Sequence, residues 1–138
     1  MINKTSRALL NALLARSEEI RTPCGDGEMV WRVWGRDNSE RPPVVLLHGG
    51  FGAWNHWVRN IPIWEKDYRL VAADLPGCGD SASLPRPYDA EDLAKVVSAG
   101  IDVAVPAQQP FDLVTFSFGG VISCLLYTSP SPRDQLQS

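Results

Sequence analysis

Three short apolar runs, at 43–47, 70–73 and 111–116, define the predicted fold of the chain. Each run is too short for a typical helix and is dominated by aliphatic or aromatic residues, as in strands that are buried on both faces of a sheet. Helical patterns separate the runs, at 53–66 and after Asp89, which can cap the helix that follows it. Strands that alternate with helices indicate an α/β fold with a mostly parallel sheet.

The first third of the chain adds two further elements. Residues 19–22 and 29–34 have the composition of short strands, and the turn residues between them predict an N-terminal antiparallel hairpin. Within residues 1–18, leucines spaced four positions apart predict an amphipathic helix. This segment does not match a secretory signal peptide, because Asn11 and Arg16 interrupt its apolar run.

Composition and charge narrow the classes of function. The 138 residues are 44% hydrophobic and 21% charged, with a net charge of −3, which is typical of a soluble globular domain. No cluster of Lys and Arg indicates nucleic acid or an acidic membrane as a partner, and no apolar run approaches the ~18 residues of a membrane span. The three cysteines have neither the number nor the spacing of a disulfide framework or a zinc site. We therefore expect a cytoplasmic protein without a metal, a nucleic-acid partner or a membrane partner.

Each predicted parallel strand is followed by a segment rich in glycine and other small residues: HGGFG at 48–52, DLPGCGDS at 74–81 and SFGG at 117–120. The carboxyl ends of parallel strands meet at one edge of a sheet, where such folds place their ligand sites. A serine between a strand and a helix is exposed above the sheet, with backbone N–H groups nearby. The three segments together predict a site centred on Ser117.

The same three segments resemble those of the α/β-hydrolase family, and the likeness extends over residues 19–123. By that resemblance the chain has a partial α/β-hydrolase fold in which Ser117 is the nucleophile. The oxyanion hole would consist of the backbone N–H of Phe118 and an N–H from the loop after the first parallel strand, from Gly50 or Phe51. No metal or organic cofactor is implied. The substrate would be a small molecule with a carbonyl group: an ester, a thioester or an activated C–C bond next to a carbonyl.

Two aromatic residues and two histidines lie in or near these motifs. Phe51 and Trp54 are the aromatic residues expected to contact the substrate. His48 could be taken for a general base, but in the resembled family this histidine shapes the oxyanion loop. His56 is expected to be a packed or surface histidine.

Other polar residues in the motifs have structural explanations. Asp74 and Asp80 are expected to stabilise their turn by bonding nearby N–H groups, rather than to act as an acidic pair. Cys78 has no histidine close in sequence that would make it a second nucleophile. Thr115 occupies the position of the first glycine in the family's Gly-x-Ser-x-Gly motif, and we expect the glycines after Ser117 to make this variant tolerable.

The remaining members of a catalytic triad do not follow Ser117. The family order is Ser, then Asp or Glu, then His, but both histidines precede Ser117 and the acid that follows it is Asp134. The sequence from 124 resembles the translation of an adapter used to build sequencing libraries, and two prolines interrupt the predicted helix there. We therefore expect an N-terminal helix (1–18), the N-terminal part of an α/β-hydrolase domain (19–123) and a non-native or disordered tail (124–138).

The expected function is that of a truncated serine hydrolase, whose full-length parent would use a Ser-His-Asp triad of which Ser117 alone is present. This chain would then be inactive by itself. Two alternatives stay open: a non-catalytic relative that binds a ligand in the same pocket, and a fragment with no function of its own. The sequence predicts neither the substrate nor the oligomeric state.

Overall fold

The computed structural model of the protein describes residues 4–106 and 109–128, and within them five strands form one mixed sheet. The elements follow in the order α1 (Lys4–Ala15), β1 (Glu18–Cys24), β2 (Gly27–Trp34), β3 (Val44–Leu47), a 3₁₀ helix (Trp54–Trp57), α2 (Ile61–Trp64), β4 (Leu70–Ala73), α3 (Ala90–Ala104), β5 (Asp112–Thr115) and α4 (Phe118–Thr128). The strand order across the sheet is β1-β2-β4-β3-β5. The predicted α/β fold is confirmed.

The N-terminal hairpin has the predicted pairing and a tighter turn. Strands β1 and β2 pair antiparallel from Glu18 opposite Val33 to Cys24 opposite Gly27. The turn therefore shrinks to two residues, and its first residue, Gly25, has a φ of +57°, which a glycine adopts without steric cost. Strand β2 also pairs antiparallel with β4, so the hairpin forms one side of the sheet.

The parallel strands differ in burial. Strand β3 pairs in parallel with β4 on one side and with β5 on the other. All four residues of β3 and of β4 are buried, as predicted. The prediction of a third buried strand is wrong in degree: within the described residues β5 is an edge strand, and its side chains are half-buried or exposed. One neighbouring strand covers β5 less completely than two neighbours cover β3.

Side chains alternate between two hydrophobic cores on the two faces of the sheet. Val45 and Leu47 point to one face and Val44 and Leu46 to the other, as the two-residue period of a strand requires. The first face packs against the buried residues of α3 and α4: Leu93, Ala94, Val97, Ile101, Ala104, Ile122 and Leu126. The second face packs against α1, α2 and the 3₁₀ helix through Leu13, Trp54, Trp57 and Ile61.

The helices refine the predicted boundaries. The single helix predicted over 53–66 is instead a 3₁₀ helix followed by α2, because Pro62 has no N–H to continue a helix and occupies the first turn of α2. Asp89 caps α3 as predicted, accepting the Asp92 N–H at 2.9 Å while the Asp92 carboxylate accepts the Asp89 N–H at 3.0 Å. No described helix is both long and apolar enough to cross a bilayer.

The first and last described helices, α1 and α4, add detail to the predicted elements. In α1, Leu13 is fully buried, whereas Leu9 and Leu14 are exposed. The indole N–H of Trp34 anchors this helix by donating to the Leu13 carbonyl at 2.9 Å. At the other end, α4 continues to Thr128, so residues 124–128 of the predicted tail are helical. Residues 129–138 of that tail lie outside the described residues, and its non-native origin stays a prediction.

Candidate active site

The carboxyl ends of the three parallel strands bring the three predicted loops together. The Phe116 N–H donates to the Leu47 carbonyl at 3.1 Å, which joins the end of β5 to the end of β3. The Leu75 N–H donates to His48 Nε2 at 2.9 Å, which joins the loop after β4 to the loop after β3. The 48–52, 74–81 and 116–120 segments therefore lie together at this edge of the sheet.

Ser117 has the backbone geometry of an exposed nucleophile. It lies between β5 and α4, its side chain is exposed, and its φ of +55° is in the left-handed region that non-glycine residues rarely adopt. Within residues 4–106 and 109–128, the other non-glycine residue with positive φ is Phe51, at +59°, in the predicted oxyanion loop. Strained residues of this kind concentrate at functional sites, and both of these lie at the same one.

Two glycines allow the chain to pack closely around Ser117. A Cβ at Gly119 would lie 2.5 Å from the Leu47 carbonyl oxygen, so the first turn of α4 lies directly against the end of β3. A Cβ at Gly49 would lie 2.9 Å from the Phe116 ring and 3.3 Å from Ser117 Cβ. Glycine at these two positions is therefore a requirement of close backbone approach.

Thr115 is accommodated by a glycine on the neighbouring helix. Its side chain is half-buried at the end of β5, and its hydroxyl oxygen lies 3.7 Å from the position that a Cβ on Gly120 would occupy. That separation is an ordinary van der Waals contact, so the branched side chain of Thr115 fits the space beside Gly120. Thr115 at the motif's first glycine position is therefore compatible with the turn at Ser117.

The backbone donors near Ser117 can be assigned one by one. The Gly49 N–H donates to His56 Nδ1 at 3.4 Å, and the Gly52 N–H to the Gly49 carbonyl at 3.2 Å. The Phe51 N–H interacts with the Cys78 thiol. No partner within the described residues accepts from the N–H of Gly50 or of Phe118. Of the two loop donors predicted, Gly50 is therefore the one that is unoccupied.

Gly50 and Phe118 are also close in space. A Cβ on Gly50 would lie 3.9 Å from Phe118 Cβ. Phe118 is the first residue of α4, where a backbone N–H has no partner inside the helix and the helix dipole favours negative charge. Two free N–H groups beside an exposed serine can stabilise an oxyanion that forms on a carbonyl attacked by that serine.

His48 has a structural role, in agreement with the resemblance. Its side chain is fully buried, Nε2 accepts the Leu75 N–H, and Nδ1 lies 2.6 Å from the Gly49 carbonyl oxygen. Because Nε2 must accept, the ring carries its proton on Nδ1, which donates to Gly49. Burial lowers the pKa of His48, although its bond to Gly49 and the charge of Asp74 act in the opposite direction. Both ring nitrogens are occupied, so His48 is not available as a base for Ser117.

Asp74 and Asp80 organise the loop after β4, as expected. The buried carboxylate of Asp74 accepts the Trp54 N–H at 2.8 Å and the Asp80 N–H at 3.0 Å. It also occupies the space that a Cβ on Gly79 would need. The exposed carboxylate of Asp80 accepts from Arg32 at 2.8 Å, which ties this loop to the hairpin. The two carboxylates therefore bond to separate partners and do not form an acidic pair.

The remaining residues considered for the site differ in burial. Phe51 is fully exposed beside the site, where it could contact a substrate. Trp54 is 93% buried and its ring packs 5.3 Å from that of Trp34, so its burial favours a core role over the predicted substrate contact. Cys78 is half-buried, and burial raises the pKa of its thiol, which opposes a role as a second nucleophile.

His56 is a surface histidine, as expected, but the sequence did not indicate that its ring lies beside the site. It is exposed, but its ring is not isolated: it contacts the Phe116 ring edge-on at 6.0 Å and the His48 ring at 5.7 Å. The sequence carries no signal for this arrangement, because a continuous helix was expected where the 3₁₀ helix stands. The tighter helix and the glycines before it determine where the His56 ring lies.

Comparison with known proteins agrees with this architecture. A family model described as alpha/beta hydrolase fold matches residues 42–132. The dihydrolipoyllysine-residue acetyltransferase component of the acetoin cleaving system from Pseudomonas putida is 37% identical over 81 residues, which cover 59% of this chain and 21% of that protein. A serine hydrolase-like protein from Homo sapiens is 29% identical over 129 residues, which cover 91% of this chain and 62% of that protein.

A solved structure also has a similar fold. The thioesterase domain from the curacin biosynthetic pathway superposes with a TM-score of 0.69 and 26% identity, over 86% of this chain and 41% of that one. The chain spans less than two thirds of each of these three proteins. The matched family segment includes β3, β4, β5 and the loops that surround Ser117. This chain belongs to the α/β-hydrolase fold family.

Proposed function

We propose that Ser117 is the nucleophile of a serine hydrolase that acts on a small molecule with a carbonyl group. The observation that carries this proposal is the left-handed backbone of Ser117 at the junction of β5 and α4, which exposes its hydroxyl beside two unoccupied backbone donors. A relative named serine hydrolase-like protein, aligned over 91% of the chain, supports it. An ester, a thioester or an activated C–C bond next to a carbonyl would be attacked at the carbonyl carbon.

The chemistry follows from the positions of these groups. Ser117 Oγ would add to the carbonyl carbon, and the carbonyl oxygen would become an oxyanion that accepts from the N–H groups of Gly50 and Phe118. Removing one such donor from a hydrolase typically costs ~2.7–4 kcal/mol of transition-state stabilisation. The leaving group would depart when the tetrahedral intermediate collapses, and water would then release the acyl group from Ser117.

A serine nucleophile also needs a base to accept its proton. His48 cannot serve, because both its ring nitrogens are bonded, and within the described residues no carboxylate hydrogen-bonds to His56. The triad's histidine and acid would therefore come from sequence other than these 138 residues. The chain alone would then provide the nucleophile and the oxyanion hole without turnover.

Covalent labelling tests the nucleophile separately from turnover. The purified chain is incubated with a small alkyl fluorophosphonate, and the adduct is located by peptide mass spectrometry. We expect slow labelling at Ser117, faster than at other exposed serines, because the N–H groups of Gly50 and Phe118 can stabilise the negative charge that develops on the phosphoryl oxygen even where no side chain accepts the serine's proton. Hydrolysis of a p-nitrophenyl ester should show no turnover that depends on Ser117.

Two substitutions serve as controls. Ser117→Ala should abolish labelling, whereas Ser39→Ala, at an exposed serine in the loop before β3, should leave it unchanged. Equal labelling of Ser117 and other exposed serines would refute the nucleophile and favour a non-catalytic, ligand-binding relative. Steady turnover lost in Ser117→Ala would show instead that a base is present in the chain and that the triad assignment is wrong.

A further inference from the structure

We propose that His56 is a positioning residue for the oxyanion loop, and that its imidazole ring holds the loop against the end of β5 so that the Gly50 N–H faces the substrate carbonyl. This inference rests on the function proposed for Ser117 and Gly50. It assigns a role to the one histidine that the fold does not bury. The role requires no direct contact between His56 and the substrate.

The position of His56 is fixed by its neighbours in the 3₁₀ helix. Trp54 and Trp57, on either side of it, are both buried in the core that covers the second face of the sheet. The Trp54 N–H donates to the buried Asp74 carboxylate, and the His56 N–H donates to the Ala53 carbonyl at 3.1 Å. The backbone that carries His56 is therefore anchored, although its ring is exposed.

The ring contacts the oxyanion loop at two glycines. Nδ1 accepts the Gly49 N–H, and the ring occupies the space that a Cβ on Gly52 would fill. The loop between these glycines contains Gly50 and the left-handed Phe51. One side chain therefore contacts both ends of the segment that supplies the free donor.

The same ring contacts the residue before the nucleophile. Its edge-on contact with Phe116 adds to the contact between Phe116 and Gly49, since a Cβ on Gly49 would lie 2.9 Å from the Phe116 ring. His56, Gly49 and Phe116 thus form one packed unit that joins the loop after β3 to the end of β5. Moving the loop away from Ser117 would break the contacts of this unit.

The distance between an oxyanion donor and the reacting carbonyl is critical to rate. A misplacement of about 1 Å by a residue outside the chemistry can cost ~10²-fold. The ring has two separable features: an acceptor nitrogen for Gly49 and an aromatic edge for Phe116. Substitutions that keep one feature and remove the other can therefore identify which of them holds the loop.

The test compares His56→Asn, which retains an acceptor near Nδ1, with His56→Phe, which retains the ring, and with His56→Ala, which retains neither. Asn55→Ala, at the exposed neighbour in the same 3₁₀ helix, is the matched control. Two quantities are measured on the 138-residue chain: amide hydrogen exchange at Gly49 by NMR, and the rate of Ser117 phosphonylation by a small alkyl fluorophosphonate.

We expect exchange at Gly49 to be slow in the parent chain, in Asn55→Ala and in His56→Asn, and faster in His56→Phe and His56→Ala. Phosphonylation should fall ~10²-fold in His56→Ala, because the Gly50 donor is displaced, and less in the two conservative variants. A thermal melt of each variant establishes that the fold is retained.

Two results would overturn the inference. Unchanged exchange at Gly49 in His56→Ala would show that the ring does not hold the loop. Unchanged phosphonylation with faster exchange would show that the loop position does not affect reactivity. If the parent chain is not labelled at Ser117, the proposed nucleophile fails, while exchange at Gly49 still reports whether His56 holds the loop.

Discussion

Strands β3 and β5 are parallel neighbours of four residues each, but they differ in burial and in the kind of residue found at their carboxyl ends. Every residue of β3 is buried, whereas β5 is half-buried or exposed. The residue after β3 is His48, which is fully buried and bonded through both ring nitrogens. The strand β5 leads instead to Ser117, which is exposed on a strained backbone.

This contrast separates a strand end that is buried in the core from one whose side chain is accessible. The central strand has a partner on each side and helices over both faces, so the residue after it becomes part of the core. The edge strand has one partner within the described residues. A side chain at its end remains accessible, while the neighbouring β3 supplies the rigid surface against which the Ser117 turn packs.

The largest expected effect is a difference in stability between leucines on the two strands. Leu47 in β3 is fully buried, and Leu113 in β5 packs half-buried against the same core. Leu47→Ala should lower the free energy of unfolding by ~2–5 kcal/mol, which is typical of a buried leucine. Leu113→Ala should cost roughly half as much, because less apolar area is lost from the core. Urea unfolding of the two variants measures both values.

Equal costs for the two substitutions would contradict the difference in burial. They would show that β5 is covered in solution as completely as β3, by residues outside 4–106 and 109–128 or by another molecule. Sedimentation velocity on the same samples distinguishes these two explanations, because only the second changes the molecular mass.

Alanine substitutions at two adjacent glycines of α4 should have smaller effects on stability, and the two effects should be opposite in sign. Gly119→Ala would push a Cβ against the Leu47 carbonyl oxygen and should destabilise the fold by ~1–3 kcal/mol, as overpacking does. At Gly120 the added Cβ would be 3.7 Å from the Thr115 hydroxyl, so Gly120→Ala should stabilise by ~0.4–1 kcal/mol through the unfolded state. Thermal melts compare the two. Stabilisation by both would show that α4 does not lie directly against β3.

Much of this site was predictable from local patterns, and the remainder depended on tertiary contacts. Glycine-rich segments after apolar runs correctly placed the 48–52 loop beside Ser117 and the 74–81 loop against His48 at the same edge of the sheet. The proposal of Gly50 rather than Phe51 as donor depends on Cys78, which is distant along the chain and interacts with the Phe51 backbone. Trp54 is buried because the 3₁₀ helix directs its ring towards the core, a direction that the sequence alone does not give.

The partial exposure of β5 was missed because that prediction rested on composition. Its apolar residues match the composition of β3, and composition does not indicate how many neighbours a strand has. The same limitation applies to the two histidines. His48 and His56 differ in their partners in space. The Leu75 N–H donates to the His48 ring, whereas the Phe116 ring contacts the His56 ring.

The smallest effect on stability near neutral pH is expected from the protonation of His48, and this effect grows as the pH falls. Burial lowers the pKa of His48 in the folded state. Below the ordinary histidine pKa of ~6.5, the unfolded chain binds a proton that the folded chain does not. Stability should therefore fall as the pH falls below that value, until the folded state is also protonated. His48→Gln should lower stability at pH 7.5 but flatten this decline, as measured by urea midpoints between pH 7.5 and 5. A decline of the same slope in His48→Gln would show that the buried strand end does not exclude the proton. The contrast between the ends of β3 and β5 would then be one of geometry alone.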